Sequence, residues 1–139
     1  MLSTGSSLAR PATVRPVSVL LADTSPDART LLEGALASLG PKSITHVGDG
    51  DDLERQFFEE GPYDLVVSRA LLGARSALQV VARARALGRR ASFIVYSSLD
   101  GPCLRVFVSD SEGTVLSSRV VSLDGLAHLA EGMLEALRR

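Results

Sequence analysis

Tyr63-Asp64-Leu65-Val66-Val67-Ser68-Arg69-Ala70-Leu71-Leu72-Gly73 is the stretch on which the fold turns. Its unbroken Leu65-Val66-Val67 run lies between Gly61-Pro62 and Gly73. A short continuous apolar run bounded by breakers fits a central strand, Asp64 to Ser68, covered on both faces. In open parallel sheets, functional residues gather just beyond the carboxyl ends of the strands. This strand delivers Arg69 to that place, and the role of an arginine there becomes the central question.

Outward from that strand, the 139 residues suit one domain with a single core. The chain is 45% hydrophobic, with four Phe, two Tyr and no Trp, so the core is mainly aliphatic. A net charge of −1 gives no overall attraction to nucleic acid or to an anionic membrane. Charge is nevertheless segregated. Asp49 to Asp64 carries seven carboxylates against Arg55 alone, and Arg69 to Arg90 carries six arginines and no acid. These read as opposite solvated faces of one domain. The single cysteine, Cys103, excludes an internal disulfide and fits a reducing compartment. Two isolated histidines give no zinc spacing. No apolar run approaches the ~20 residues of a membrane span, and Met1 to Arg15 lacks the apolar centre of a signal peptide. The expectation is a cytoplasmic protein.

Taken in order, residues 1–15 are rich in Ser, Thr, Pro and Gly and read as a flexible tail before a domain at 16–139. Val17 to Ala22 is a buried strand ending at Asp23. Thr24 or Ser25 caps the next helix, with Pro26 in its first turn and Asp27 at the positive end of its dipole. Ala28, Leu31, Leu32, Ala35, Leu36 and Leu39 keep the helical period until Gly40-Pro41. Ser43 to Val47 is a second strand, and Asp51 or Asp52 opens a short helix carrying Leu53, Phe57 and Phe58. Asp49-Gly50-Asp51-Asp52 lacks the glycine of a calcium loop, since Glu54 stands at its sixth position, and no ladder of alternating acids follows. No GxGxxG follows the first strand. A third helix runs from Ser76 to Leu87, and Ala91 to Tyr96 is a fourth strand.

Residues 100–113 are ambiguous. Leu104, Phe107 and Val108 have helical spacing behind Asp100 and Pro102, while Arg105 to Val108, a polar turn and Thr114 to Leu116 equally describe a hairpin. The helix is the favoured reading. Thr114 to Ser117 then forms a fifth strand, and a last helix capped by Ser122 or Asp124 turns Leu126, Leu129, Ala130, Met133, Leu134 and Leu137 inward. Five alternations of strand and helix give an α/β three-layer sandwich with a parallel sheet.

Along its carboxyl edge fall Asp23-Thr24, Arg69, Ser97-Ser98 and Ser117-Ser118. Here the sequence resembles a bacterial response-regulator receiver. VSVLLADTSPDARTLLEGAL is similar to the first strand and helix of that family, YDLVVSRALLGARSALQVV to its phosphoacceptor strand, loop and third helix, and FIVYSS and GTVLSS to its last two strands. The resemblance implies a flavodoxin-like, doubly wound five-stranded parallel sheet in the order 2-1-3-4-5. Active receivers use an acidic pair for Mg²⁺, an aspartate nucleophile, a Ser or Thr and a lysine. Hard Mg²⁺ wants carboxylate oxygens, the acceptor must be a carboxylate, and a cation offsets charge on the transferred group. By that resemblance Asp23 keeps one acid and Thr24 replaces the other. Arg69 replaces the nucleophile, Ser97 keeps the hydroxyl, and Ser117 replaces the lysine.

The resemblance therefore implies a pseudo-receiver with no catalytic residues, bound metal or cofactor. It would be a non-enzymatic, phosphorylation-independent signalling and protein-interaction module. Asp23 and Arg69 are expected to pair across the vestigial pocket, against the alternatives that Arg69 turns to solvent or that the pocket binds an anion. A small-molecule or anion-binding domain of flavodoxin type is the competing function, weakened because Tyr63 and Tyr96 are poorly placed to stack on a flavin. The expected partner is another signalling protein, with a homodimer compatible and neither nucleic acid nor membrane bound directly. The expected interface is an exposed fourth element offering Leu104, Val106 or Phe107 as apolar anchor, with the arginine-rich stretch as the competing surface.

Overall fold

The computed structural model describes residues 17–100, 103–109 and 117–138. The expected tail at 1–15 lies outside them. The elements are β1 (Ser18–Ala22), α1 (Pro26–Ala35), β2 (Ser43–Val47), α2 (Gly50–Arg55), β3 (Leu65–Arg69), β4 (Leu71–Leu72), β5 (Arg75–Ser76), α3 (Ala77–Ala86), β6 (Ser92–Asp100), β7 (Cys103–Ser109), β8 (Ser117–Ser122) and α4 (Leu126–Arg138). A π-helical turn, Gln56–Glu60, prolongs α2, and β4 pairs with β5 as a miniature hairpin.

The main sheet has six strands in the order β2-β1-β3-β6-β7-β8. The first four run parallel, with β1 between β2 and β3 and β6 beside β3. Side-chain alternation sorts the core into two halves. Val19, Leu21, Leu65, Val67, Ile94 and Tyr96 point toward α1 and α4. Leu20, Ala22, Val66, Phe93 and Val95 point toward α2 and α3. This is the doubly wound α/β sandwich anticipated from the alternation, and the central strand is buried on both faces as its apolar run requires.

The first and third helices start at the expected caps Ser25 and Ser76, whereas α2 starts at Gly50 behind Asp49 rather than at the expected Asp51 or Asp52. Ser25 accepts the Ala28 amide at 3.2 Å, Asp49 accepts the Asp52 amide at 2.8 Å, and Ser76 accepts the Leu78 amide at 3.2 Å. Leu32 and Leu36 are buried on α1, whereas Leu31, read as inward, is 45% exposed.

The far side of the sheet differs from expectation. The favoured helix after the fourth strand is absent. Strand β6 continues to Asp100 and turns into antiparallel β7, and β8 pairs antiparallel on β7. The reason is a period of two. Leu104, Val106 and Val108 are buried toward α4, while the alternating Cys103 and Arg105 are exposed and Phe107 is half-buried on the other face. Val106, Phe107 and Val108 also favour extended backbone over helix. Strand β8 spans Ser117–Ser122, and of the expected strand Thr114 to Ser117 only Ser117 lies among the described residues. The order 2-1-3-4 is kept, but an antiparallel strand occupies the fifth place and the sheet is mixed rather than all-parallel.

Candidate functional site

Where β1 and β3 end, Asp23, Arg69 and the mid-strand Tyr96 of β6 fall on one face, because each continues the alternation of Val19-Leu21, Leu65-Val67 and Ile94. Asp23 is fully buried. Its main-chain amide donates to Val47 O at 3.2 Å, extending the β1–β2 ladder. Its Oδ1 accepts the Ser25 amide at 2.9 Å, and its Oδ2 accepts the Tyr96 hydroxyl. Arg29, from the first turns of α1, donates through Nη1 to the Asp23 carbonyl at 2.5 Å and to Val47 O at 3.4 Å. Both carboxylate oxygens are thus engaged by the protein itself.

Tyr96 is 1% exposed and reaches past the end of β3 to Asp23. Burial pushes its phenol far above the ordinary tyrosine value of 10.0, and the bond to Asp23 and that group's charge push the same way against weaker opposition from Arg69 and Arg29. The phenol remains a donor. A buried tyrosine needs a partner for its hydroxyl, and Asp23 supplies one.

Arg69 is exposed, beside Tyr96 in the β3–β6 register. Among the described residues no ion pair joins it to Asp23, so the expected Asp23–Arg69 pair is replaced by Asp23–Tyr96. Thr24 and Ser97 are exposed, Ser97 at the irregularity between Tyr96 and Ser98 where the β6–β7 register shifts. Ser117 is not brought to the site. It pairs with Val108, which pairs with Ile94, and so lies two strands from β6 and short of the carboxyl edge. The inserted β7 is the cause.

The expected apolar anchor also fails. Leu104 and Val106 are 1% and 0% exposed, packed under α4, and only Phe107, half-buried on the opposite face, retains some access.

The segregated charges meet each other rather than facing apart. Arg75 donates to Glu54 and to Asp51, and Arg83 Nη1 donates to Glu54 at 2.6 Å. These bonds, Arg75 first, hold the Glu54 carboxyl below its ordinary value of 4.5 against the opposing effect of burial. Gly50 makes the approach feasible, since a Cβ there would lie 2.3 Å from Arg75 Cβ. Arg83 also stacks 4.3 Å from the Phe58 ring centroid. Arg85 turns inward, donating to Ala91 O at 2.8 Å, Ser109 Oγ at 2.9 Å and Arg89 O at 3.1 Å. Arg75, Arg83 and Arg85 are therefore tied to this chain, which weakens the arginine stretch as a docking surface.

The sequence reading missed Tyr96 as a site residue, treating it only as a strand aromatic. The available signal was its parity: it shares a face with Ile94, and the carboxyl edge gave Asp23 the same face.

No family model matches the sequence, and no curated protein matches it. Among solved structures the chain is similar to the receiver domain of the Francisella response regulator 1452. The TM-score is 0.63 at 16% identity, over 87% of this chain and 98% of that domain. The fold is receiver-like.

Proposed function

We propose that this chain is a receiver-fold signalling module that works by binding another protein, without phosphorylation and without catalysis. The observation that carries the reading is the bond from Tyr96 to Asp23. A magnesium-dependent receiver needs open carboxylate oxygens at this edge. Here one oxygen of Asp23 holds a main-chain amide and the other holds the phenol. Thr24 replaces the second acid and contributes only an exposed hydroxyl. Arg69, which stands where the resemblance expects the nucleophile, has no lone pair to attack phosphorus or to ligate a cation. The residues present do not fit Mg²⁺, and no group of three His, Cys, Asp or Glu able to hold a metal occurs among the described residues.

The partner is proposed to be a separate signalling protein, met in the cytoplasm. No helix among the described residues is long and apolar enough to cross a membrane. The test is incubation of the full chain with acetyl phosphate, or with beryllofluoride and Mg²⁺, read by intact mass and by amide NMR shifts. Unchanged mass and unchanged shifts at Asp23, Arg69 and Tyr96 are expected. A phosphoryl adduct on this edge overturns the proposal.

A further inference from the structure

Strand β8 is the last strand of the sheet, and among the described residues no strand pairs with its outer edge. Ser117, Ser118, Arg119, Val120 and Ser122 are all exposed, with Val120 at 58%. Native sheets protect such edges with charged side chains, proline, bulges or very short strands. Here the strand is six residues long, contains no proline, carries Arg119 as its single charge, and pairs with β7 in unbroken register. The opposite edge strand, β2, is tied down by His46, whose Nε2 lies 2.6 Å from Glu33 of α1.

We propose that β8 pairs antiparallel with β8 of a second copy of this chain, about a two-fold axis through Val120. The sequence Ser117-Ser118-Arg119-Val120-Val121-Ser122 is self-complementary about that point. Val120 meets Val120 of the second copy, Arg119 meets Val121, and Ser118 meets Ser122. The most exposed apolar side chain of the strand is covered by its own symmetry mate, as an isologous contact requires. The Arg119 stem lies along Val121 with its guanidinium free to reach water. Sliding the axis to Arg119 would set two arginines directly opposite, which is unfavourable. A foreign strand added to a sheet edge is usually selected by pockets for alternate side chains. The small exposed Ser117, Ser118 and Ser122 form none, so a second β8 is the better match.

A contact of one strand on each side is small, and the dimer is accordingly weak. The inference goes beyond the proposed loss of phosphorylation and stands or falls separately from it. The test is sedimentation of the full chain between about 10 μM and 1 mM, a range set by the modest affinity of small interfaces. A mass rising from monomer toward dimer is expected. Val120→Lys places like charges on the axis and should hold the mass at monomer while leaving thermal unfolding unchanged. As an independent reading, Val120→Cys in a Cys103→Ser background takes a nitroxide label. It should show dipolar broadening at high concentration that dilution with unlabelled chain removes. A wild-type chain monomeric throughout overturns the inference. So does a dimer indifferent to Val120→Lys, or β8 amides protected only when a different protein is added.

Discussion

Tyr96 donates its hydroxyl to Oδ2 of Asp23 past the end of β3, so this fully buried carboxylate serves as an internal acceptor. Tyr96→Phe removes that donor from a fully buried carboxyl group. A loss of about 1–3 kcal/mol is expected in urea unfolding. The double-mutant cycle with Asp23→Asn should return a coupling of similar size, whereas a cycle of Asp23→Ala with Arg69→Ala should return almost none.

Placing a carboxylate at position 69 should not give phosphotransfer. Arg69→Asp supplies a carboxylate, but Tyr96 still occupies Asp23 and Ser117 lies two strands from β6. Intact mass after acetyl phosphate and Mg²⁺ should match that of the untreated variant. Efficient labelling would show that the phenol yields readily.

The Glu54 clamp should give a specific acid dependence. Its carboxyl is held below 4.5 in the folded chain, so the folded state binds that proton less readily than the unfolded state. The contribution is full above the unfolded value and is lost as pH falls through the lower folded one. Glu54→Gln should remove this part of the acid limb and cost about 0.5–1 kcal/mol at neutral pH, the range of a partly exposed ion-pair network. Urea midpoints measured from pH 7 to pH 3 check it.

Leu104 and Val106 should behave as core residues rather than as a docking anchor. Leu104→Ala is expected to cost about 2–5 kcal/mol. Val106→Asp buries a lone charge under α4 and should prevent cooperative folding, as circular dichroism and thermal melting would show.

The parallel half of the fold was legible because each signal there was local and unopposed. Ser25-Pro26-Asp27 marked a helix start, the Leu65-Val67 run marked a strand buried on both faces, and Gly40 and Gly88 take the left-handed backbone that ends a helix. The segment from Leu104 to Val108 was not legible, because its apolar residues satisfy the helical and the strand period together. Only pairing partners on both sides resolve that choice in favour of β7. Of the site, Asp23 and Arg69 followed directly from strand ends. Tyr96 did not, because its role depends on which strands become neighbours. Ser117 was misplaced for the same reason, since one inserted strand changes its position without altering its sequence.

The same insertion divides the sheet by how far apart in the chain its partners lie. In the parallel half, Ser18 donates its amide to the Asp64 carboxylate across 46 positions, and β1 pairs with β3 across the intervening helices and strand. In the added half, β6 and β7 are separated only by residues 101 and 102. Distant pairings are slow because loop-closure entropy precedes their reward, while a near hairpin closes quickly. The slow pairings of this domain are therefore expected among its parallel strands, while the β6–β7 hairpin closes locally.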